Sequence, residues 1–346
     1  MMRSELQTKG SEENDIFIIF IFHQMNIYQK WNRMVQWISQ HGGIIDGITI
    51  NDQRDIIATK NIDTDHQIMN IPSQLHINGK NFESLSCRMS ATMAELFLEL
   101  QKGEQSFYYP YLSILPTNFN NHPFNIINNQ NIHSYINLSQ DFVYYIIQMK
   151  KKFKECFQQL QQLSYSDEQQ LTYCFLLIQT RAWITEDQVS LIPAIDLLKH
   201  RNFKSSLGLM LDSRFIMSTK DTYQIGQEVF DNYGFKDNIM LLAQYNFLAE
   251  NPILPVDLFS TPSLNEQLLK IRKYYQSFPC FTLDGPNQCL LDSFQLLNID
   301  YHQTLLDSYN NLKDYTHLSY ESDNLINSLR IALAQKRQII ENCLKN

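Results

Sequence analysis

Apolar and polar positions alternate between two periods along this chain. From Tyr28 to Gln40 the apolar residues Trp31, Met34, Val35, Trp37 and Ile38 fall on one helical stripe, and His41, Gly42 and Gly43 end it. Three short strand-like pieces follow, Gly47–Asn51, Asp55–Thr59 and Gln67–Ile71, the last closed by Pro72. Cys87–Gln101 returns to a helical period, with Met89, Met93, Leu96, Phe97 and Leu100 on one face and Gly103 as the stop. Ser139–Leu163 predicts a long amphipathic helix through Phe142, Ile146, Met149, Phe153, Phe157 and Leu160. Ser166 with Gln169 reads as a capping box for a further helix carrying Leu171, Cys174, Phe175 and Ile178. A helical block of about a hundred residues thus separates the first strands from a second set.

That second set begins with a hairpin, Ser206–Met210 and Arg214–Thr219, over Leu211, Asp212 and Ser213. Gly226 and Gln227 then predict a turn, and Glu228–Phe230 a short strand. Asp231, Asn232, Tyr233 and Gly234 predict a tight bend, because Asn, Asp and Gly accept unusual backbone angles. Such a bend would fix the Tyr233 phenol at the end of a strand. Ile239–Phe247 reads as a short helix. Pro252, Pro255 and Pro262 mark a change to helices at Leu264–Tyr275, Leu290–Leu297 and Leu325–Leu344.

Composition narrows the function classes. The chain has 346 residues, 44% of them apolar, enough for a sizeable core and more than one domain. A formal net charge of -8 argues against a nucleic-acid footprint. Six cysteines lie apart with no C-x-x-C pair and read as separate reduced thiols of an intracellular protein. Nine histidines are equally dispersed, and no metal site is expected. The apolar run Ile16–Phe22 is too short to span a bilayer and follows acidic residues, so it reads as a buried strand or an added N-terminal segment.

Several stretches together resemble the SET domain of protein methyltransferases, in the group similar to the plant Rubisco large-subunit methyltransferase. Gly226–Asn238, GQEVFDNYGFKDN, is similar to the pattern G-E-E-[VIL]-x-x-x-Y-G-x-x-x-N. Ala58–Ile62 resembles A-T-[KR]-[DN]-I, with Ile71-Pro72 at its I-P. Ser106–Pro116, SFYYPYLSILP, follows S-x-[WF]-x-P-Y-[LI]-x-[IV]-L-P almost residue for residue. Thr180–Trp183 resembles [ST]-R-[AS]-[FW], Leu191–His200 resembles L-[IV]-P-x-x-D-[ML]-x-N-H, and Asn251-Pro252 the closing N-P. The resemblance implies an α+β fold: a SET domain of small sheets over 28–252, a helical insert at about 82–185, and an all-helical C-terminal domain over 253–346 that grips a protein substrate. Residues 1–27 would be an extension.

The resemblance also implies a reaction. S-adenosylmethionine would be the cofactor and a protein side chain the methyl acceptor, most often lysine on a non-histone protein, with histidine open; no metal is required. A free lysine has a pKa near 10.4, so an apolar channel must favour its neutral form. Tyr233 is the implied catalytic residue. Cofactor contacts are implied for Asp52, Gln53, Arg54, Asp55, Arg181, Asp196, Lys199, His200 and Tyr233, and a substrate channel for Arg181, Phe230, Phe235 and Tyr245. A monomer acting inside the cell is expected, cytoplasmic or nuclear with an organelle left open, without nucleic acid or membrane. Departures cluster at the cofactor pocket. The pattern [ED]-G-x-G-[LIV] is replaced by Asp52, Gln53, Arg54, Asp55 and Ile56, and Lys199 stands where an asparagine is usual. Asp55 and Lys199 are therefore expected to form a compensating ion pair. The alternative is a catalytically silent SET protein that binds another protein.

Overall fold

The computed structural model describes residues 25–82, 84–184, 188–202, 206–255, 280–282, 285–286 and 324–345. The predicted helices 264–275 and 290–297 and the run 16–22 lie outside them. The first helix, α1 (Ile27–Gln40), starts in a capping box: Asn26 accepts from the Gln29 N–H and Gln29 returns a bond to the Asn26 N–H. Its stripe of Trp31, Met34, Trp37 and Ile38 is buried.

Short strands follow: β1 (Ile44–Ile45), β2 (Ile48–Ile50), β3 (Ile56–Ala58) and β4 (Gln67–Pro72). The helical block then runs through α2 (Arg88–Gln101), the one-turn helices α3 (Tyr109–Leu112) and α4 (Pro123–Ile126), α5 (Ile132–Leu138), α6 (Gln140–Gln162) and α7 (Glu168–Arg181). The expected Ser166/Gln169 box is not formed. Asp167 caps α7 instead, accepting from the Gln170 N–H at 2.9 Å, because a carboxylate one residue closer satisfies the same first-turn donors.

Strands return as β5 (Trp183–Ile184), β6 (Val189–Ser190), β7 (Lys199–His200), β8 (Ser206–Leu211), β9 (Arg214–Thr219) and β10 (Phe230–Asp231). Then come α8 (Asn238–Tyr245), β11 (Leu254–Pro255), β12 (Cys280–Thr282), β13 (Gly285–Pro286) and α9 (Asn324–Lys345). One antiparallel sheet has the order β1-β4-β9-β8; the others have two or three strands. The three-stranded one, β11-β12-β13, lies within 253–346, so the expectation of an all-helical C-terminal domain does not hold: Leu254–Pro255 and Gly285–Pro286 each pair with Cys280–Thr282. The β8–β9 turn holds two residues, Asp212 and Ser213, not three. Both take positive φ, 47° and 59°, the twist that a two-residue hairpin requires.

Two apolar clusters hold these parts together. The larger joins α1, the small sheets and one face each of α2, α6 and α7. The smaller packs Ile239, Leu242 and Ala243 of α8 against Phe142, Val143 and Ile146 of α6 and Leu325, Leu329 and Leu333 of α9. Asn238 at the start of α8 reinforces it: its amide donates to Gln335 Oε1 at 2.6 Å, and its oxygen accepts from the Ala249 N–H at 2.8 Å.

The helical block is pinned to the sheets at Gly79. Glu95 of α2 accepts from the Gly79 N–H at 2.6 Å and the Asn78 N–H at 3.1 Å, while Ile77 pairs with Leu191. That pairing positions the segment leading to β7. Gly79 has φ +76°, and a Cβ there would lie 2.5 Å from the Ala91 carbonyl carbon, which is helix backbone and cannot yield cheaply. Gly79→Ala is expected to lower the unfolding free energy by about 3 kcal/mol or more in urea titration. A loss below about 1 kcal/mol would contradict this account of the joint.

Candidate active site

Three distant pieces of sequence meet at one place. The Val229 N–H donates to Ile56 O at 2.8 Å, the Ala58 N–H to Gln227 O at 2.9 Å, and the Gly226 N–H to Ala58 O at 2.8 Å, so 226–229 lies along β3. The chain then continues as β10, which pairs in parallel with β7: Phe230 opposite Lys199 and Asp231 opposite His200. The bend follows at once. Asn232 Oδ1 accepts from the Gly234 N–H at 2.9 Å, and Gly234 takes φ +92°.

That bend clamps Tyr233 at both ends against the 198–200 segment. Its N–H donates to His200 Nδ1 at 3.0 Å and its hydroxyl donates to Leu198 O at 2.6 Å. Since Nδ1 accepts, the His200 proton sits on Nε2, which donates to Asn202 Oδ1 at 3.1 Å. Burial raises the Tyr233 phenol above the ordinary tyrosine range, so it stays a protonated donor. Its ring lies 5.2 Å from Tyr245 and 5.3 Å from His200, with Phe247 at 6.4 Å and steeply tilted, an aromatic wall.

Two clefts border that wall. The larger, about 1010 Å³, is bordered by Gln53, Arg54, Lys199, His200, Phe230 and Phe247, among others. The smaller, about 360 Å³, is bordered by Trp183, Ile184, Asp231, Asn232, Gly234 and Lys236, among others. Thr180, Arg181, Asp196, Tyr233 and Tyr245 border both, and so form the partition. On the side of the smaller cleft, Lys236 donates to Tyr233 O at 2.5 Å with its ammonium 5.9 Å from the Tyr245 ring centre.

The partition is also where charge is buried. The Asp196 side chain is fully buried; it accepts from the Tyr111 hydroxyl at 2.9 Å and faces Arg181 Nη1 at 3.6 Å. The same Nη1 donates to Asp196 O at 2.8 Å. Burial pushes the Asp196 acid up to about 6, with Arg181 and Tyr111 opposing. Among the described residues, two atoms of this partition, Asp196 Oδ1 and Arg181 Nε, find no hydrogen-bond partner. Arg54 donates to Ile114 O; burial, and then the neighbouring Arg181, lower its pKa.

At the rim of the larger cleft, Lys199 pairs with Asp55 and lies 3.5 Å from Glu228. The expected Asp55–Lys199 pair is present. Asn51 supports it through Nδ2, which donates to Asp55 Oδ2 at 2.9 Å. Burial raises the Asp55 acid, but Lys199 and Asn51 prevail and leave it below the usual carboxylate range.

Most residues singled out from sequence converge here. Gln53, Arg54, Arg181, Asp196, Lys199, His200, Phe230, Tyr233 and Tyr245 border the clefts, and Asp55 holds one of them. Asp52, which is exposed, and Phe235 border neither cleft. Sequence reasoning missed Glu228, Asn202, Phe247 and Tyr111. Asn202 had one signal, an amide two residues beyond His200; the others look like core or surface until the fold closes. Among the described residues no His, Cys, Asp or Glu cluster could hold a metal, and no helix is long and apolar enough to cross a membrane.

Comparison with known proteins places the fold. No protein-family profile matches the chain. The SET domain-containing protein 4 of Artemia parthenogenetica is 23% identical over 301 residues, spanning 76% of this chain and 72% of that protein. The SET domain of LSMT bound to lysine and AdoHcy superposes with a TM-score of 0.57 at 15% identity, over 91% of this chain and 90% of that one. Rubisco LSMT bound to AdoMet gives 0.59 at 14% identity, over 91% of each chain. The chain therefore has an α+β SET fold of the Rubisco LSMT type, as its motifs imply.

The fold carries a pH signature, to which the site contributes His200. Burial pushes the imidazoles of His76, His122 and His200 down to about 4. The unfolded chain binds protons near 6.5, so each neutral histidine contributes stability that is present above that pH and lost as pH falls toward 4. Between pH 7 and 5 the loss is about 2 kcal/mol per histidine. Asp196, Glu95, Glu228, Asp231 and Asp237 act in the opposite sense, burial making each hold its proton longer in the folded state, and they offset part of that loss. Unfolding free energy should still fall from pH 7 to 5, with a shallower slope in His200→Gln. An unchanged slope would contradict a buried neutral imidazole.

Proposed function

We propose that this chain is a SET-type protein methyltransferase that uses S-adenosylmethionine and methylates a lysine of a non-histone protein, histidine being the second choice of acceptor. One observation carries this reading: Tyr233, held at both ends, stands in the partition between a large and a small cleft. A transfer reaction needs two reactants delivered to opposite sides of one fixed point and shielded from water. Related structures support it, since LSMT is seen with AdoMet and with lysine or methyllysine.

The residues of the larger cleft fit the cofactor. Arg181 Nε and Asp196 Oδ1 are buried polar atoms without a partner, an arrangement that a polar ligand completes. Burial, and then the neighbouring Arg181, raise the cost of charge on Arg54, which a ligand carboxylate would relieve. Gln53, Arg54, Arg181, Lys199 and His200 are the residues we assign to holding it. Bound there, S-adenosylmethionine supplies an electrophilic methyl group. The protein supplies the rest. Tyr233 orients the acceptor nitrogen through its fixed hydroxyl and its ring. Tyr245 lines the acceptor path, whereas Phe230, the other expected channel residue, borders only the larger cleft. The aromatic surface of Tyr233 and Tyr245 disfavours an ammonium there, which favours the neutral amine. Asp52 and Phe235 act at most indirectly.

The reading extends to domain roles, with a SET domain over 28–252, its insert at about 82–185, and a C-terminal domain over 253–346 that grips the substrate. It takes the enzyme as a monomer working inside the cell, in cytoplasm or nucleus. The silent alternative is favoured by one observation, the Lys199 ion cluster at the cleft rim, in which Asp55 stands at one glycine of the family pattern and Lys199 at its asparagine, with Gln53 at the other glycine.

Binding and transfer separate the two. A hundredfold excess of S-adenosylmethionine over its Kd is expected to raise the unfolding free energy by about 2.7 kcal/mol. No thermal shift at millimolar ligand would support the silent reading. With binding seen, Tyr233→Phe is expected to cut kcat at least tenfold, about 1.4 kcal/mol of barrier, while the ligand-induced shift persists. Equal loss of binding and turnover would remove the role given to the hydroxyl.

A further inference from the structure

Two cysteines that sequence reading treats as separate thiols come into contact in the helical block. Cys87 and Cys156 lie 69 residues apart in the chain, yet their sulfurs are 3.6 Å apart. Cys87 is the residue that precedes α2, and Cys156 sits within α6. One side chain of α6 holds the approach in place. Gln159 Oε1 accepts from the Cys87 N–H at 3.3 Å, and Gln159 Nε2 donates to Ser86 Oγ at 3.1 Å. The backbone bearing Cys87 is therefore fastened to the helix bearing Cys156.

Their environments differ in the way that a reactive thiol and its partner require. Cys87 is partly exposed, whereas Cys156 is fully buried. Either sulfur can donate in the contact between them. The contact with Cys156 first, then the Ser90 N–H at the start of α2 and the Lys152 ammonium, outweigh partial burial and bring the Cys87 thiol down to about 4. The same hydrogen bond and burial push Cys156 up, so it keeps its proton.

We propose that Cys87 and Cys156 form a peroxide-reactive dithiol site that closes to a disulfide between α2 and α6. The Cys87 thiolate attacks one oxygen of hydrogen peroxide. The O–O bond breaks, hydroxide leaves, and Cys87 becomes a sulfenic acid. Cys156 sulfur then attacks the Cys87 sulfur, the S–O bond breaks, and the Cys156 proton leaves with the oxygen as water. The thiols lose two electrons and the peroxide gains them. The sulfurs need to approach by about 1.5 Å to reach disulfide length. Nothing in this proposal depends on the methyltransferase reading.

The full chain, freshly reduced, tests it. After a small excess of hydrogen peroxide, alkylation and digestion without reductant, the expected product is a Cys87–Cys156 cross-linked peptide that reductant reverses, with two of the six thiols lost. In Cys156→Ser, Cys87 should instead be trapped by dimedone as the sulfenic acid. In Cys87→Ser, Cys156 should remain unoxidised at the same dose. On unmodified protein, alkylation of Cys87 by iodoacetamide should change little between pH 6 and 8, whereas an ordinary thiol speeds up about a hundredfold. The proposal is overturned if wild-type Cys87 is oxidised without cross-linking or not at all. It is equally overturned if Cys156 reacts in Cys87→Ser, or if Cys87 alkylation follows the ordinary thiol profile.

Discussion

Everything at the site depends on a two-residue parallel pairing. Phe230 and Asp231 lie beside Lys199 and His200, and this short match brings the late segment 223–234 against β3 on one side and β7 on the other. Parallel strands need a long connection between them. Here it is the β8–β9 hairpin and the turn at Gly226, and the hairpin arm β9 is itself locked into the main sheet through β4. Little hydrogen-bond energy resides in the pairing itself. Its effect is positional: it sets the register of Tyr233 against His200 and Leu198. A slip of one residue would turn the phenol to the opposite face.

Around that register the protein tolerates polar burial that an ordinary core avoids. Asp196 is a fully buried acid: its Oδ2 accepts from Tyr111 and faces Arg181, while its Oδ1 has no hydrogen-bond partner among the described residues. Such a group is costly unless something else completes it. Tyr111 comes from the aromatic stretch 106–116, which explains why a loop far from the bend belongs to the same site: it supplies one donor to Asp196, and its Ile114 carbonyl anchors Arg54. At the rim the departures from the SET pattern are mutually consistent. Asp55, at a glycine position of the pattern, pairs with Lys199, at an asparagine position, and Glu228 lies 3.5 Å from the same ammonium, so that Lys199 and Glu228 border the larger cleft.

Much of this architecture was legible in the sequence because it rests on local periodicity. The stripes of α1, α2 and α6, the strands near 48, 56 and 67, and the hairpin at 206–219 appear within a residue or two of their expected positions. The bend at 231–234 followed from Asn and Gly chemistry, and the Asp55–Lys199 pair followed from complementary departures in two motifs. What was not legible is non-local. The cap of α7 moved to Asp167 because Ser166 and Asp167 offer nearly equivalent acceptors. Glu228 and Phe247 gain meaning only when strands distant in sequence meet. The contact between Cys87 and Cys156 depends on how α6 lies across the start of α2, which no pattern of spacing encodes. The predicted helices 264–275 and 290–297 lie outside the described residues, whereas α9 is present and packs on α8.

The central claim is that the larger cleft receives the methyl donor on one side of Tyr233 while the smaller receives the acceptor on the other. A crystal structure of the protein grown with S-adenosylhomocysteine tests it most directly. The account predicts the ligand in the larger cleft, in contact with Arg181 and the Lys199 segment, with its sulfur facing the Tyr233 partition. An empty cleft still spanned by Asp55, Lys199 and Glu228 at saturating ligand, or a ligand bound away from Tyr233, would contradict it.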